Sequence, residues 1–358
     1  MIESIIILLL PLAAWSGWRV AMKKEARALR ENKARASYFE GLNFLLNDQS
    51  DRALDTFLKL PALDQQAVDI QLILGSLLRK RGELDRALHL HRQLYEQAHL
   101  DLAQRRQLIY ELAEDYDQAG MYVQAEELYE TLLPTDHRRE EVKVALARIY
   151  ERMAQWQKAI DLAVAPPASL AHYYCCLAEE RPAETLALLR QALAMDYGCQ
   201  RAHWLRADYL LRQENHLDSL SAFQGLVELN PSLLPELLEP LGRCYEALQR
   251  EEEFRRWLLA QEAQQQSPRL TLALLPLLPT ETAAALLAER FAASASPFLL
   301  GAVLGDQPQW AAVAAKIQPQ TSFRCDECGF RHRGRRWHCP ACNAWSSFRP
   351  LFEIKLSQ

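Results

Sequence analysis

The sequence predicts an all-α protein in which helix pairs stack into a superhelical solenoid, with a membrane helix before the stack and a small metal-binding module after it. Three observations support this prediction. A pattern of small residues recurs about every 34 residues, an uncharged and mostly apolar run occupies 4–18, and four cysteines fall within 18 residues of one another near the end. Repeats of this length indicate stacked supersecondary units. The predicted segments are an anchor at 1–20, a basic segment at 21–35, repeats at 36–262, divergent helical repeats at 263–320 and a four-cysteine domain at 321–358.

Composition and motifs exclude several classes of protein. The 358 residues are 49% hydrophobic, which is enough for a sizeable core, and the net charge of −5 argues against a globally basic nucleic-acid binder. The sequence contains no G-x-G-x-x-G dinucleotide motif and no P-loop. It also contains no H-E-x-x-H and no G-x-S-x-G hydrolase motif. We therefore expect that the protein is not an enzyme.

The first 20 residues are predicted to form a single membrane anchor. The uncharged run at 4–18 gives a helix of about 22 Å, and extending it to 1–20 reaches the length of a bilayer core, with Trp15 and Trp18 suited to the interface. A cleaved signal peptide or a buried core helix is the alternative. A signal peptide carries its basic residues before the apolar run, whereas here Glu3 precedes it and residues 19–35 carry a charge of +5. This polarity predicts a single-pass protein with its C-terminal bulk in the cytoplasm.

The repeats are defined by small residues and alanines at fixed spacing. Small residues recur at intervals of 34, 38 and 34, an alanine follows each one 12 residues later, and an aromatic residue follows two of these alanines four residues further on. The positions are Gly41, Gly75, Ala113 and Ala147, then Ala53, Ala87, Ala125 and Ala159, and finally Phe57 and Tyr129. This pattern resembles the tetratricopeptide repeat, in which small residues let the two helices of a pair approach closely.

Turns and irregularities can also be predicted from the repeat register. Gly82 and Gly120 lie seven residues after their small residues, where the turn between helices requires a positive φ. The register continues to Gly242 in about seven repeats, but the repeat at Pro166-Pro167 is shortened. No repeat signature is found at 264–320, which is rich in Ala, Leu and Pro and is expected to be helical.

A solenoid of this kind presents a concave face formed by the first helix of each pair, and charged residues there are candidates for contacting a partner. The candidates are Arg79, Glu114, Asp117, Arg148, Glu151, Asp208 and Arg243. The alternative is that each of them is simply solvated. Residues 36–322 carry a net charge of −13, so we expect a protein partner and no nucleic acid.

Two C-x-x-C motifs near the end predict a metal site. Cys325 and Cys328 form the first motif, Cys339 and Cys342 the second, and ten residues separate the two. Four thiolates complete a tetrahedral shell and leave no open position, which favours a structural ion, either Zn²⁺ or Fe²⁺/Fe³⁺. The remaining four cysteines are scattered through Ala/Leu-rich stretches and indicate a reducing compartment. His332 and His338 are surplus to a four-cysteine shell.

The residues around these motifs leave two alternatives open. Arg331, Arg333, Arg335 and Arg336, interleaved with aromatic residues, would suit a zinc ribbon that binds RNA, and an iron ion would suit a redox protein. We also expect the tail to dock on the solenoid through Trp345 and Phe348, because so small a module has little core of its own.

The order of these parts resembles the lipopolysaccharide assembly protein B family, whose tail is rubredoxin-like. The most specific matches are the stretch 324–350, which contains Trp-His-Cys-Pro-Ala-Cys and Ala-Trp-Ser, and the stretch 41–46. The resemblance implies an adaptor in the cell inner membrane that regulates lipopolysaccharide biosynthesis. It implies that the adaptor presents the lipid A pathway deacetylase LpxC to the membrane AAA+ protease FtsH. It further implies contacts with lipopolysaccharide transport components, contacts of the anchor with a membrane regulator, and a homodimer as one assembly that such a protein can adopt.

Overall fold

The computed structural model describes residues 65–97, 100–134, 139–305 and 308–356, together with isolated residues before 65. The predicted anchor at 1–20, the basic segment at 21–35 and the repeat predicted to begin near Gly41 lie outside these ranges, apart from those isolated residues. Among the described residues, no helix is both long enough and apolar enough to cross a membrane. The chain divides into two compact units, which meet in sequence at Gln155 and Trp156.

In the described part of the first unit, the chain forms packed helices. Its helices are α1 (Gln65–Lys80), α2 (Leu84–Gln97), α3 (Leu102–Gln118), α4 (Tyr122–Leu132) and α5 (Arg139–Arg152). Each helix packs on the next one in sequence, from α1 to α5. Helix α3 begins with a capping box, in which the Asp101 carboxylate accepts a hydrogen bond of 2.8 Å from the Gln104 amide.

The small residues of the repeat are buried where the helices meet, as predicted. Ala87, Ala113 and Ala125 have no exposed surface. At Gly75 the reason is visible, because an added Cβ would lie 2.1 Å from Nε2 of His91. His91 is four residues after Ala87, the position of the aromatic residue in the repeat pattern, and its ring fills the space that the glycine leaves open.

One backbone turn recurs between the helices of a pair. Gly82 and Gly120 have φ values of 82° and 74°, which confirms the predicted left-handed turns. The same position, seven residues after the small residue, is left-handed in later repeats at Ala154, Glu214 and Gln249, which are not glycines. The shortened repeat departs from this pattern, since its first helix ends at Arg181 with a φ of −121°.

The second unit contains further helix pairs. Its helices are α6 (Trp156–Asp161), α7 (Pro167–Glu180), α8 (Thr185–Met195), α9 (Gln200–Arg212), α10 (His216–Leu229), α11 (Leu234–Ala247), α12 (Glu251–Gln265), α13 (Pro268–Leu274), α14 (Thr280–Ser294), α15 (Leu300–Gly305) and α16 (Ala311–Ala314). The segment without a repeat signature is therefore largely helical. Leu270 and Leu274 of α13 belong to the same apolar core as Phe223 and Leu241 of the preceding repeats.

A three-stranded antiparallel sheet completes the second unit. Its strands are β1 (Ile317–Cys325), β2 (Arg331–His332) and β3 (Phe348–Leu356), in the spatial order β2-β1-β3. The register pairs Arg324 with Arg331 on one side and with Arg349 on the other. Strand β1 begins at Ile317, four residues before the predicted boundary of the tail at 321, and it ends at the first cysteine of the four-cysteine cluster.

Candidate metal centre and its docking surface

The four cysteines of the two C-x-x-C motifs converge on one point. Their sulfur atoms all lie within 4.8 Å of one another. Cys325 Sγ is 3.6 Å from Cys342 Sγ, and Cys328 Sγ is 3.6 Å from Cys339 Sγ. This arrangement brings together the residues that the sequence predicts as metal ligands, one pair from each motif. Neither His332 nor His338 belongs to the cluster that the described residues form.

The two motifs have matching turns. In the first, the Gly329 amide donates to the Cys325 carbonyl at 2.9 Å, and in the second the Asn343 amide donates to the Cys339 carbonyl at 2.9 Å. Gly329 has a φ of 79° and Asn343 a φ of 59°, so both are left-handed. Glycine and asparagine are the residues that accept this conformation most readily.

The electrostatics of the cluster fit a bound cation. The Ser347 hydroxyl, together with the amides of Cys328 and Glu327, lowers the pKa of the Cys325 thiol to about 6. At Cys342 the Ala344 amide acts in the same direction, but desolvation and the three neighbouring thiols raise the pKa to about 12. Four thiols this close cannot all ionise by themselves, whereas a divalent or trivalent ion would deprotonate them. The donor set therefore fits one tetrahedral four-sulfur ion.

Burial divides the four sulfurs into two pairs. Cys325 and Cys339 are fully buried, whereas Cys328 and Cys342 are exposed. The buried pair lies in the small core of the tail with Phe323 and Phe348. Phe348 therefore packs in the core of the tail, and it also lines the cleft between the tail and the helices. Its predicted role in docking stays a prediction.

Trp345 docks the tail on the helices, as predicted. Its ring stacks on His172 of α7 at 4.7 Å between centroids with an interplanar angle of 13°. It meets Trp156 at 6.1 Å and Tyr173 at 6.2 Å, each edge to face. The guanidinium of Arg201 lies 5.7 Å from the ring centroid, within the range of a cation–π contact. The four partners come from α6, α7 and α9, so one tail residue contacts three helices.

His172 also makes a polar contact with the tail. Its Nε2 lies 2.9 Å from the hydroxyl of Ser346, the residue after Trp345. Burial, with the charge of Arg201 and the neighbouring His338, lowers the pKa of His172 to about 3. The ring that stacks on Trp345 is therefore a neutral imidazole at physiological pH.

A second contact between the tail and the helices is ionic. Arg335 Nε donates to Glu236 of α11 at 2.5 Å, and Arg269 of α13 donates to the same carboxylate at 2.7 Å. Both guanidinium groups also lie over the ring of Phe323, at 5.1 Å and 5.8 Å from its centroid. One acidic residue thus joins the tail, the repeats and the segment without a repeat signature.

The candidate groove residues of the first unit are largely engaged in contacts within the chain. Arg79 is only 9% exposed, and its guanidinium pairs with Glu111 at 2.6 Å and Asp115 at 2.7 Å. Glu114 accepts a hydrogen bond of 2.6 Å from the Tyr129 hydroxyl. Burial, with the charge of Glu114, raises the pKa of that tyrosine.

The five other candidates either form ion pairs or are at least partly exposed. Asp117 is buried and pairs with Arg148 at 2.9 Å and with Arg152 at 3.2 Å. In the second unit, Asp208 pairs with Arg212 at 2.6 Å. The two remaining candidates, Glu151 and Arg243, are half-buried and exposed respectively. A partner role for all seven residues stays a prediction.

Sequence reasoning missed a buried ionic network between α1, α2 and α3. His91 Nδ1 lies 2.6 Å from Asp115 Oδ2, and neither side chain has any exposed surface. The other carboxylate oxygen of Asp115 accepts from Arg79, which also pairs with Glu111. The signal in the sequence was the histidine at a repeat position that takes Tyr129 in a later repeat.

The residues that receive the tail were also missed. His172, Trp156, Tyr173 and Glu236 are ordinary helix residues in the sequence. The shortened repeat at Pro166 marked this region as unusual, but it did not indicate what packs there.

Comparisons with known proteins bear on the whole chain. A family model described as the rubredoxin metal binding domain matches residues 323–350, which include all four clustered cysteines. Lipopolysaccharide assembly protein B of Escherichia coli (strain K12) is 29% identical, with 97% of this chain and 98% of that protein aligned. The protein of the same name from Haemophilus influenzae is 29% identical, with 98% of each chain aligned.

A solved structure of YrrB, a tetratricopeptide-repeat protein with an unusual peptide-binding site, is 20% identical. It covers 45% of this chain and 85% of its own, with a TM-score of 0.32, a score at which the likeness supports no argument. The relatives that align over nearly the full length, and the matched metal-binding domain, do indicate what the chain is similar to. With its helix pairs and its four-cysteine tail, the chain is similar over nearly its full length to proteins named lipopolysaccharide assembly protein B, and its tail matches the rubredoxin metal binding domain.

Proposed function

We propose that this protein is an adaptor, not an enzyme, that regulates lipopolysaccharide biosynthesis from the cytoplasmic face of the inner membrane. In this proposal it presents the lipid A pathway deacetylase LpxC to the membrane protease FtsH and assists lipopolysaccharide assembly. The name of the relatives supports the pathway. Confining a protease and its client to one surface raises their effective concentration without any new chemistry.

The observation that carries the proposal is the docked tail. Trp345 stacks on α7, and Arg335 pairs with α11, so the four-cysteine module and these helices of the second unit share one surface. An adaptor needs such a surface because its partners must be held in a fixed relative position. The four clustered sulfurs form a closed set, which suits a structural role.

We propose that Cys325, Cys328, Cys339 and Cys342 hold one tetrahedral ion, Zn²⁺ or Fe²⁺/Fe³⁺. The ion would supply the positive charge that lets the four thiolates lie within 4.8 Å. The Ser347 hydroxyl and the amides of the first turn orient and stabilise the sulfur of Cys325. With the ion bound, the turns that carry Trp345 keep the shape that docks on α7.

The test replaces one ligand in the full chain. Cys328→Ser is expected to lower the metal content, to increase hydrogen exchange across 317–356 and to slow degradation of the deacetylase in cells. Cys176→Ser is the matched control, because Cys176 is a half-buried cysteine outside the cluster whose sulfur accepts from Arg201, as a hydroxyl can. Normal turnover of the deacetylase in cells that contain a metal-free tail would refute the adaptor role of the tail. Elemental analysis of the purified chain decides between zinc and iron.

The proposed anchor has its own test. A chain lacking residues 1–20 is expected to leave the membrane fraction of cells, while the full chain stays in it through alkaline extraction. Protease treatment of spheroplasts should leave the tail intact, because the proposal puts it on the cytoplasmic side. Recovery of the full chain in the soluble fraction would contradict the anchor without bearing on the metal site.

A further inference from the structure

The outer face of the tail sheet carries a row of arginines. In the register, Arg324 of β1 is directly opposite Arg331 of β2 and Arg349 of β3. Directly opposite residues of neighbouring strands project from the same face. Strands are about 4.8 Å apart, so the three guanidinium groups start within about 10 Å of one another. All three side chains are exposed.

Such a row is unfavourable unless something compensates for it, since like charges directly opposite in a sheet repel. The outer two arginines have acidic partners: Arg331 pairs with Glu353 at 2.8 Å and Arg349 with Asp326 at 2.5 Å. Arg331 is 60% exposed and Arg349 is 76% exposed, so these are surface ion pairs, which contribute little and exchange readily for another anion. The row keeps an excess of positive charge, centred on Arg324.

The row continues into a cleft at the edge of β3. Arg349 and Arg336 both line this cleft of about 200 Å³, which lies between the tail and the repeats. Arg335, which pairs with Glu236, and Asp326, which pairs with Arg349, line it as well. The neutral polar residues of the lining include Asn230, whose side-chain amide donates one of its two N–H groups to Gln200. Arg336 is exposed. A cleft lined by three guanidinium groups and one carboxylate keeps an excess of positive charge, which is suited to a phosphoryl group, whose oxygens accept several hydrogen bonds at once.

The other side of the sheet carries its aromatic residues. Side chains alternate along a strand, so Phe323, Phe348 and Phe352 project from the face opposite Arg324 and Arg349. The sulfur of Cys325 lies on that side too. Proteins that bind single-stranded nucleic acid stack bases on aromatic side chains. A row of arginines whose sheet face bears no aromatic residue in the described strands favours phosphate without bases.

We propose that Arg324, Arg331, Arg349 and Arg336 form a binding site for a ligand that carries two or more phosphoryl groups. The cleft between Arg349 and Arg336 holds one group, and the row across the sheet holds the next. The ligand is a free diphosphate or the phosphorylated headgroup of a lipid. Because the cleft is formed by both the tail and the repeats, binding at this site also stabilises the docked tail.

The experiment titrates the full chain, in a zwitterionic detergent, with inorganic pyrophosphate by calorimetry. Binding is expected to weaken as salt rises. Arg324→Gln is expected to weaken it about tenfold, the loss of one charge-assisted hydrogen bond, and Arg324→Gln with Arg349→Gln about a hundredfold. Arg333→Gln is the matched control, because it removes the same charge from an exposed tail residue outside the strands, and it should change affinity less than about twofold.

The source of the phosphate is distinguished by a second arm. Full chain in nanodiscs of phosphatidylcholine is compared with chain in nanodiscs that also contain phosphatidic acid, and hydrogen exchange of β1 and β3 is measured. Protection that depends on phosphatidic acid and on Arg324 supports the site with a lipid as ligand, even if pyrophosphate does not bind. Pyrophosphate binding that depends on Arg324 supports it with a soluble ligand.

Three results would overturn the proposal. The first is binding in neither arm, and the second is binding that Arg324→Gln leaves unchanged. The third is single-stranded RNA that binds more tightly than inorganic polyphosphate of equal charge, because the site would then recognise bases. Should Arg324→Gln disturb the fold, Arg324→Lys keeps the charge but removes the planar fork, and it is expected to weaken pyrophosphate binding severalfold.

Discussion

Two contacts in this protein are built from opposite kinds of side chain. One joins α1, α2 and α3, and the other joins the tail to the helices of the second unit. In the first, Asp115 and His91 are fully buried and lie within hydrogen-bond distance, and Asp115 also pairs with Arg79. In the second, Trp345 is half-buried and meets rings. Both contacts hold together parts of the chain that are distant in sequence.

The difference indicates what each contact can tolerate. A buried charge network is strongly destabilised by the loss of one member, because the remaining charges are left unpaired, and so it specifies one pairing of helices. Ring stacking at a half-buried surface contributes less and can separate without leaving a buried charge. We therefore expect the helices of the first unit to unfold together, and the tail to detach in a separate step.

The largest effect is expected from Asp115→Ala. It leaves His91 without its acidic partner and Arg79 with Glu111 alone, so the free energy of unfolding should fall by about 3–5 kcal/mol. Urea unfolding and hydrogen exchange in α1–α3 measure this loss of stability. Asp85→Ala, which removes an exposed acid from α2, is the control and should cost less than about 1 kcal/mol. Equal effects of the two changes would show that the network does not hold the helices together.

The next effect is expected from Trp345→Ala. Removing the ring takes away the contacts with His172, Trp156 and Tyr173. The free energy that holds the tail on the helices should therefore fall by about 3 kcal/mol. Hydrogen exchange across 317–356 should rise, while exchange in α1–α3 stays unchanged. Trp310→Ala removes a tryptophan that is 49% exposed and serves as the control. Slow exchange of the tail in Trp345→Ala would mean that the docking does not depend on this ring.

A lower pH should weaken the docking contact of the tail, because that contact includes His172. The pKa of His172 is about 3 in the folded chain and about 6.5 in the unfolded chain, so between these values the unfolded chain binds more protons and stability falls as pH falls. From pH 7 to pH 5 the loss should be about 2 kcal/mol, and above pH 7 this residue should add no pH dependence.

The measurement is the hydrogen-exchange protection of the tail as a function of pH, in the native chain and in His172→Asn, whose side chain cannot titrate. Arg201 and His338, which face His172, are present in both chains. The same pH dependence in both chains would show that His172 is not its source.

The smallest effect is expected at the turns. Ala154 adopts the left-handed conformation with a φ of 55°, which costs an L-residue about 1–2 kcal/mol. Ala154→Gly removes this cost but adds unfolded-chain entropy, so we expect a net stabilisation of about 0.5 kcal/mol. Gly120→Ala at the equivalent turn should destabilise by about 1 kcal/mol. Thermal unfolding of the two variants checks the pair, and changes of equal sign would contradict the shared turn.

The parts that could be predicted from sequence were those set by spacing and by backbone conformation. The left-handed turns at Gly82 and Gly329 and the convergence of the cysteines follow from residue types at fixed intervals. Trp345 could be identified as a docking residue, because a small tail cannot bury its own tryptophan.

What could not be predicted depends on which surfaces meet. The register alone puts Arg79 and Asp117 on a groove, but the carboxylates and guanidinium groups of neighbouring helices bury them. The role of His172 exists only because the tail packs on it. The sequence also does not show which aromatic residues, such as Phe348, the tail needs for its own core.

Glu236 has a consequence for any attempt to dissect this chain. Its single carboxylate accepts from Arg269 and Arg335, two residues that come from separate segments. Deleting the segment around α13 would remove Arg269, whose guanidinium also lies over the Phe323 ring of the tail. The segment at 264–320, which has no repeat signature, therefore helps to hold the tail on the helices. Shortened versions of the protein should keep this segment if the last 40 or so residues are to stay docked.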